Sequence, residues 1–402
     1  MLRQSVHAFL SSADAGSLVE QAFADRRLLK MELTRLPGGL AEARARYGSE
    51  GSPSLLVLEA TAPPARLLAE LEALAEVCVA GTNLILLGAT NDVGLYRDLI
   101  RRGVADYLVL PSDPVRLIEA VLELYQDPTQ RVAGQVIAFI GARGGCGSST
   151  LAANTAWQLS RQGNADVVLL DLDLAFGGAD LAFNLDAVHG IQAVLADPER
   201  IDDQFLGRFS AKYGERLHLL PGPGSLDKEV RIAGTALEAA LTALRRQARF
   251  IVLDLPRQWT EWVRQTLHTA DQVVVTAEPD LLSVRNGRNL IDFLAARRQL
   301  DQPPLLALNR VGGGRKGEVG QKDFAETIGL TPAVVIAEDA LTFSQAAAAG
   351  RMIEEVNRRA RAVEAIHLLG TRIAGAPAKA AKAATVPAVG AKGLLHKLLG
   401  KG

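Results

Sequence analysis

The sequence predicts an α/β protein of two successive domains, each built on a mostly parallel sheet. Two observations predict it. Short apolar runs alternate throughout with segments of helical period, the pattern of strands buried between helices. A polar stretch, "DPTQRVAG" (127–134), interrupts this alternation and reads as a linker, which divides 402 residues into two blocks large enough for separate cores.

In the first block the expected strands are "SVHAF" (5–9), "LLVL" (55–58), "LILL" (84–87) and "YLVL" (107–110), closing with a helix over "DPVRLIEAVLELYQ" (113–126). In the second they are "QVIAFI" (135–140), "VVLL" (167–170), "LHLL" (217–220), "FIVL" (250–253), "QVVVT" (272–276) and "PLLALN" (304–309), with a last helix ending near Leu369. The boundaries that follow are a first domain over 1–128, a linker over 129–134, a second domain over 135–370, a tether over 371–392 and a short helix over 393–402.

Composition narrows the function. The chain is 48% apolar and 22% charged with a net charge of −1, which argues against bulk attraction to nucleic acid or membrane. Cys78 and Cys146 lie too far apart for metal-ligand spacing and fit a reducing cytoplasm. The N-terminus lacks the apolar core and cleavage site of a secretory signal, and no run of 18 apolar residues occurs.

The chemistry concentrates in "GARGGCGSST" (141–150), which lies between a strand and a helix. Gly144, Gly145 and Gly147 allow backbone N–H groups to surround phosphate oxygens at a helix N-terminus. Around them, Cys146, Ser148, Ser149 and Thr150 complete the loop, and Ser149 or Thr150 places a hydroxyl for Mg²⁺. Strand–glycine–helix turns are common, so the loop alone decides little. However, Asp171 and Asp173 follow one strand and Asp254 ends another, and ligands of parallel sheets bind beyond the carboxyl ends of strands. The plain alternative is that such acids are caps and turn formers.

"RGGCGSSTLAAN", "LLDLDL", "FIVLDLP", "ADQVVVTAEPDLLSVRNGRNLIDFL" (270–294) and "LALNR" (306–310) together resemble the MinD/ParA ATPases, with a deviant Walker A loop, a second aspartate motif and a Walker B strand in the right order. Within that superfamily, "DLPRQWTEWVRQTLHTADQVVVTAEPDLLSVRN" and "LDLDLAFGGADLAFNLD" resemble the CpaE/TadZ pilus-assembly branch, which serves type IVc (Flp/Tad) pili. The resemblance covers roughly residues 135–370. It implies ATP with Mg²⁺ as cofactor, Asp173 as the water-positioning acid, and Ser149, Asp171 and Asp254 around the metal. It also implies Asn309, followed by Arg310, at the adenine. Two positions depart from the family pattern. Arg143 stands for the signature lysine that reaches across a nucleotide-sandwich dimer, and Ser148 for the main Walker lysine. Arginine remains charged and can bind phosphate; serine cannot replace a charge. The expectation is a nucleotide held and hydrolysed slowly or not at all.

Trp259 and Trp262 stand where the family has switch II. Packing at i, i+3 helical spacing is favoured over a partner anchor.

"LILLGATNDVGLYRDLIRRGVADYLVLPSDPVRLIEAVLEL" (84–124) resembles the second half of a response-regulator receiver, a flavodoxin-like fold. Receiver chemistry needs an acidic pair, an aspartate, a Thr/Ser and a lysine at successive strand ends. These positions read Ser11 and Ser12, Glu59, Gly88 and Leu110, so the domain is expected to keep the fold without phosphorylation and to serve in docking or dimerisation.

From Thr371 to Gly402 there are six Lys/Arg and no Asp/Glu. Drawn as a helix, Leu394, Leu395, Leu398 and Leu399 share an arc of about 140°, with Lys392, His396 and Lys397 opposite. This resembles the membrane-targeting helix of MinD; a cap on the protein's own groove or a protein-binding tail are the alternatives. The leading expectation is a cytoplasmic, polar or inner-membrane-associated homodimer that positions the pilus secretion ATPase and its machinery. The rival is an active MinD/ParA-type ATPase cycling on membrane or DNA. DNA binding is disfavoured, because basic runs such as "LAARRQ" are usually solvated faces, and transcription control lacks both a phosphoacceptor set and a helix-turn-helix.

Overall fold

The computed structural model describes residues 4–125, 134–162, 165–186, 190–222, 232–314 and 316–375; the tail leucines and Lys397 lie outside the described residues. The first sheet has five parallel strands: β1 (Gln4–Leu10), β2 (Met31–Pro37), β3 (Leu55–Ala60), β4 (Asn83–Gly88) and β5 (Asp106–Val109). Their order, β2-β1-β3-β4-β5, is that of flavodoxin-like folds. β2 went unpredicted for a physical reason. It is an edge strand reading "MELTRLP", none of whose residues is buried, so it lacks the apolar run that marks its neighbours.

The second sheet has eight strands: β6 (Gln135–Gly141), β7 (Val167–Asp171), β8 (Ala211–Tyr213), β9 (Leu217–Leu220), β10 (Phe250–Asp254), β11 (Gln272–Ala277), β12 (Leu305–Val311) and β13 (Val334–Ala337). The order is β13-β12-β11-β6-β10-β7-β9-β8, and all pairs are parallel except β8 with β9. The two strands the sequence did not announce, β8 and β13, are short edge strands. At the centre, β6, β10 and β7 are buried on both faces, which is why they read as unbroken apolar runs. Val136, Ala138 and Ile140 of β6 face one helical layer, while Ile137 and Phe139 face the other.

Candidate functional site

The carboxyl ends of β6, β7, β10, β11 and β12 meet along one edge, and nearly every residue singled out by sequence lies there. The glycine-rich loop runs from the end of β6 into the helix Ser148–Arg161. Gly145 (φ 79°) and Gly147 (φ 88°) are left-handed, a conformation open to glycine at little cost. At Gly147 space is also short: a β-carbon would stand 2.5 Å from Asn309 Nδ2.

The loop is tied down at four points. Ala142 N–H donates to Thr276 O at 2.8 Å, and Asn286 Nδ2 to Ala142 O at 2.9 Å. The buried Cys146 thiol reaches Thr276 O at 3.4 Å, and Asn309 Nδ2 donates to Cys146 O at 2.9 Å. Burial pushes the Cys146 thiol pKa up, so it acts as an anchor rather than a thiolate. Asn309, expected at the adenine, is itself buried and engaged: its Oδ1 accepts from Arg310 N–H at 2.9 Å. In this arrangement it holds the loop.

Beside the loop lies a cleft of about 740 Å³, lined among others by Ser149, Thr150, Asp173, Asp254, Asn309 and Arg310. Ser149 and Thr150 are exposed to it, whereas Ser148 Oγ is buried without a hydrogen-bond partner among the described residues. Asp254 and Asp171 sit opposite each other in the β10–β7 ladder, at neighbouring-strand spacing of about 5 Å. Burial, with the Asp171 charge second, pushes the Asp254 carboxyl up to about 7, although a Ser149 hydrogen bond opposes this. Burial also pushes Asp171 up to about 6. Asp171 is drawn into its own loop, accepting from Asp173 N–H and Ala179 N–H, both at 3.1 Å. A β-carbon on Gly177 would meet Asp171 Oδ2 at 2.4 Å, so a glycine at 177 lets that loop close.

A buried acid pair short of positive charge, with the Ser149 hydroxyl beside it, suits a divalent cation. Among the described residues no three His, Cys, Asp or Glu side chains converge. Ser149 and Asp254 are the residues that would hold an Mg²⁺ here, with Asp171 beside them on the neighbouring strand.

Arg143, part-exposed, is engaged by acids that leave β11. Its guanidinium is hydrogen-bonded to Asp280 and lies 3.6 Å from Glu278 Oε2, while Arg310 Nη1 donates to Glu278 Oε1 at 2.8 Å. Arg310 is a non-glycine residue at φ 56°, a strained backbone held by its surroundings. Partial burial opposes charge on Asp280, but the Ser283 N–H and Arg143 outweigh it and hold the carboxyl below its usual range. Glu278 and Asp280 were missed by sequence reasoning. The signal was present: "AEPD" leaves a strand at the same sheet edge as Asp171 and Asp254. The tryptophan pair is corrected in part. Only Trp262 lies in the helix Glu261–Thr269 and packs on the core; Trp259 precedes it, 50% exposed, edge-on to Phe293 at 4.9 Å.

In the first domain, Glu59 Oε2 accepts from Ser11 N–H at 2.6 Å and Ser12 N–H at 2.8 Å. Burial opposes its charge, but the Ser12 and Ser11 donors outweigh this and keep the carboxyl below its usual range. The carboxylate thus bridges the two amides that follow β1.

Comparison with known proteins adds the following. The family model described as cellulose biosynthesis protein BcsQ matches residues 134–289. A ParA family ATPase from Chlorobium tepidum TLS superposes with a TM-score of 0.54 at 21% identity, covering 60% of this chain and 100% of that one. The septum site-determining protein MinD from Pyrococcus horikoshii OT3, complexed with Mg-ADP, gives 0.52 at 18% identity, covering 60% and 96%. A pilus assembly protein CpaE from Caulobacter crescentus CB15 is 41% identical, covering 31% of this chain and 100% of that one, with a TM-score of 0.30. The chain spans 59% of the length of the curated Mycobacterium tuberculosis relatives that it matches at 26% identity. No described helix is long and apolar enough to cross a membrane.

Proposed function

From the premise that the second domain is of the MinD/ParA-like P-loop ATPase kind, we propose that this protein is an assembly and positioning factor for Flp/Tad (type IVc) pili. It holds ATP with Mg²⁺, hydrolyses it slowly or not at all, and serves as a scaffold for the secretion machinery. The observation that carries this reading is a tied-down phosphate loop without its lysine. Four anchors fix the loop at a cleft of nucleotide size, yet the residue at the lysine position is Ser148. Preorganised backbone donors suffice to bind phosphate, whereas phosphoryl transfer depends on charge stabilisation. The first domain supports the same reading, since Ser11 and Ser12 stand where the resemblance to a receiver would put an acidic pair, and their amides are taken by Glu59.

The pilus assignment rests on the motif resemblance over "LDLDLAFGGAD" and "DLPRQWTEWVRQ". A homodimer, the pilus secretion ATPase as partner and peripheral attachment through Leu394, Leu395, Leu398 and Leu399 belong to this proposal. Titration of a fluorescent ATP analogue with Mg²⁺, run beside a turnover assay, tests the biochemical half. Saturable binding with turnover near background is expected; no binding at millimolar ligand would reduce the domain to a nucleotide-free scaffold. Loss of surface pili on deletion of the gene, and co-purification with the secretion ATPase, test the biological half.

A further inference from the structure

Arg143, Arg257 and Arg310 lie at the glycine-rich loop, and Arg143 and Arg310 are neutralised within the chain. Arg143 is bonded to Asp280 and faces Glu278, and Arg310 is paired with Glu278. Arg257 differs. It is exposed and makes no hydrogen bond or ion pair among the described residues. Its Nε stands 4.0 Å from where a β-carbon on Gly144 would lie, and no other atom outside the chain neighbours comes that close.

The backbone beneath Arg257 is fixed. Leu255 N–H donates to Phe139 O at 3.0 Å, and Leu255 and Pro256 are buried, so the chain leaves β10 in a set direction toward the loop. Across the loop, Ser148 Oγ is buried and unpartnered, and it contributes a hydroxyl but no charge. The two features are complementary: an uncharged residue at the lysine position, and an uncommitted guanidinium beside the same loop.

We propose that Arg257 supplies to the phosphates of a bound nucleotide the positive charge that Ser148 does not. A guanidinium stays protonated and meets phosphate oxygens with two parallel N–H groups, so it can act from the loop's outer side, where a lysine on the helix would act from within. The proposal rests on the nucleotide-binding reading.

The test is titration of a fluorescent ATP analogue with Mg²⁺ into the full chain as wild type, Arg257→Ala, Arg257→Lys, Ser148→Lys and the double variant Ser148→Lys/Arg257→Ala. Arg257→Ala is expected to weaken binding about tenfold or more, the size of a lost charge-assisted contact. Arg257→Lys should retain part of the affinity, and unfolding without nucleotide should be unchanged. In the Ser148→Lys background the same alanine should cost less than about threefold, because the two cations then substitute for each other. Wild-type affinity in Arg257→Ala, or an equal loss in both backgrounds, overturns the proposal. Absence of any wild-type binding would instead bring down the nucleotide reading, and this inference with it.

Discussion

Arg26 donates from Nε to Oδ2 of Asp301 at 2.6 Å, joining two residues 275 positions apart and fastening the first domain to the second. Both side chains are over 90% buried. The same guanidinium donates to Thr269 O at 3.0 Å, the carbonyl end of the helix that follows β10. Arg298 braces the acceptor, lying 2.9 Å from Asp301 and donating to Ala270 O at 2.6 Å. The first domain is thus locked to the helix that leads away from the acid of the cleft.

Replacing Arg26 with alanine should cost about 2 kcal/mol of stability, the value of a hydrogen bond to a charged group. A full buried-pair penalty of about 3–5 kcal/mol is not expected, since Arg298 still pairs Asp301. Urea denaturation measures the loss. Hydrogen exchange should also rise at residues 26–30 and 298–301; if both stay as in the wild type, the contact does not hold the domains together.

Ser148→Lys should raise ATP turnover about tenfold or more over the wild type, because a donor aimed at transition-state charge is worth at least that in a preorganised site. A phosphate-release assay reads it. Turnover unchanged despite tight binding would mean that more than the lysine is missing.

The acid pair predicts a pH dependence. Burial lifts Asp254 and Asp171 from the ordinary carboxylate range to about 7 and about 6, so the folded state binds more protons than the unfolded one between about pH 4 and pH 7. Stability without ligand should therefore fall as pH rises through that window, with the full penalty present above about pH 7. Asp254→Asn should flatten the curve. Affinity for an Mg²⁺-nucleotide should change oppositely, weakening as pH drops below about 7. Thermal unfolding from acid to neutral pH, with and without Mg²⁺-nucleotide, checks both signs.

Asn309→Ala should destabilise the protein by about 1–3 kcal/mol, because the buried Cys146 carbonyl loses its donor. Looser loop amides and weaker nucleotide binding should accompany it. A variant with wild-type stability and faster nucleotide release would place Asn309 on the ligand instead.

The first domain should take no label from radioactive acetyl phosphate, since the Glu59 carboxylate already occupies the Ser11 and Ser12 amides. Label on this domain would refute that reading.

Much of this protein could be read from its sequence. The apolar runs of β6, β7 and β10 announced a parallel sheet because strands buried on both faces tolerate few polar residues. The acids placed just after such runs had to fall on one sheet edge. Glycine spacing marked the loop because left-handed backbone and close approach leave few substitutes. Edge strands stayed hidden, since β2 alternates and buries none of its residues. Only tertiary structure decided where charges are spent. It paired Arg143 and Arg310 with Glu278, turned Asp171 into its own loop, put Asn309 under the loop and set Arg257 beside it. It also joined Arg26 to Asp301. The reason is physical: burial patterns and turns are local properties that a sequence carries along its length, whereas the partner of a charged side chain depends on which strand ends the fold brings together.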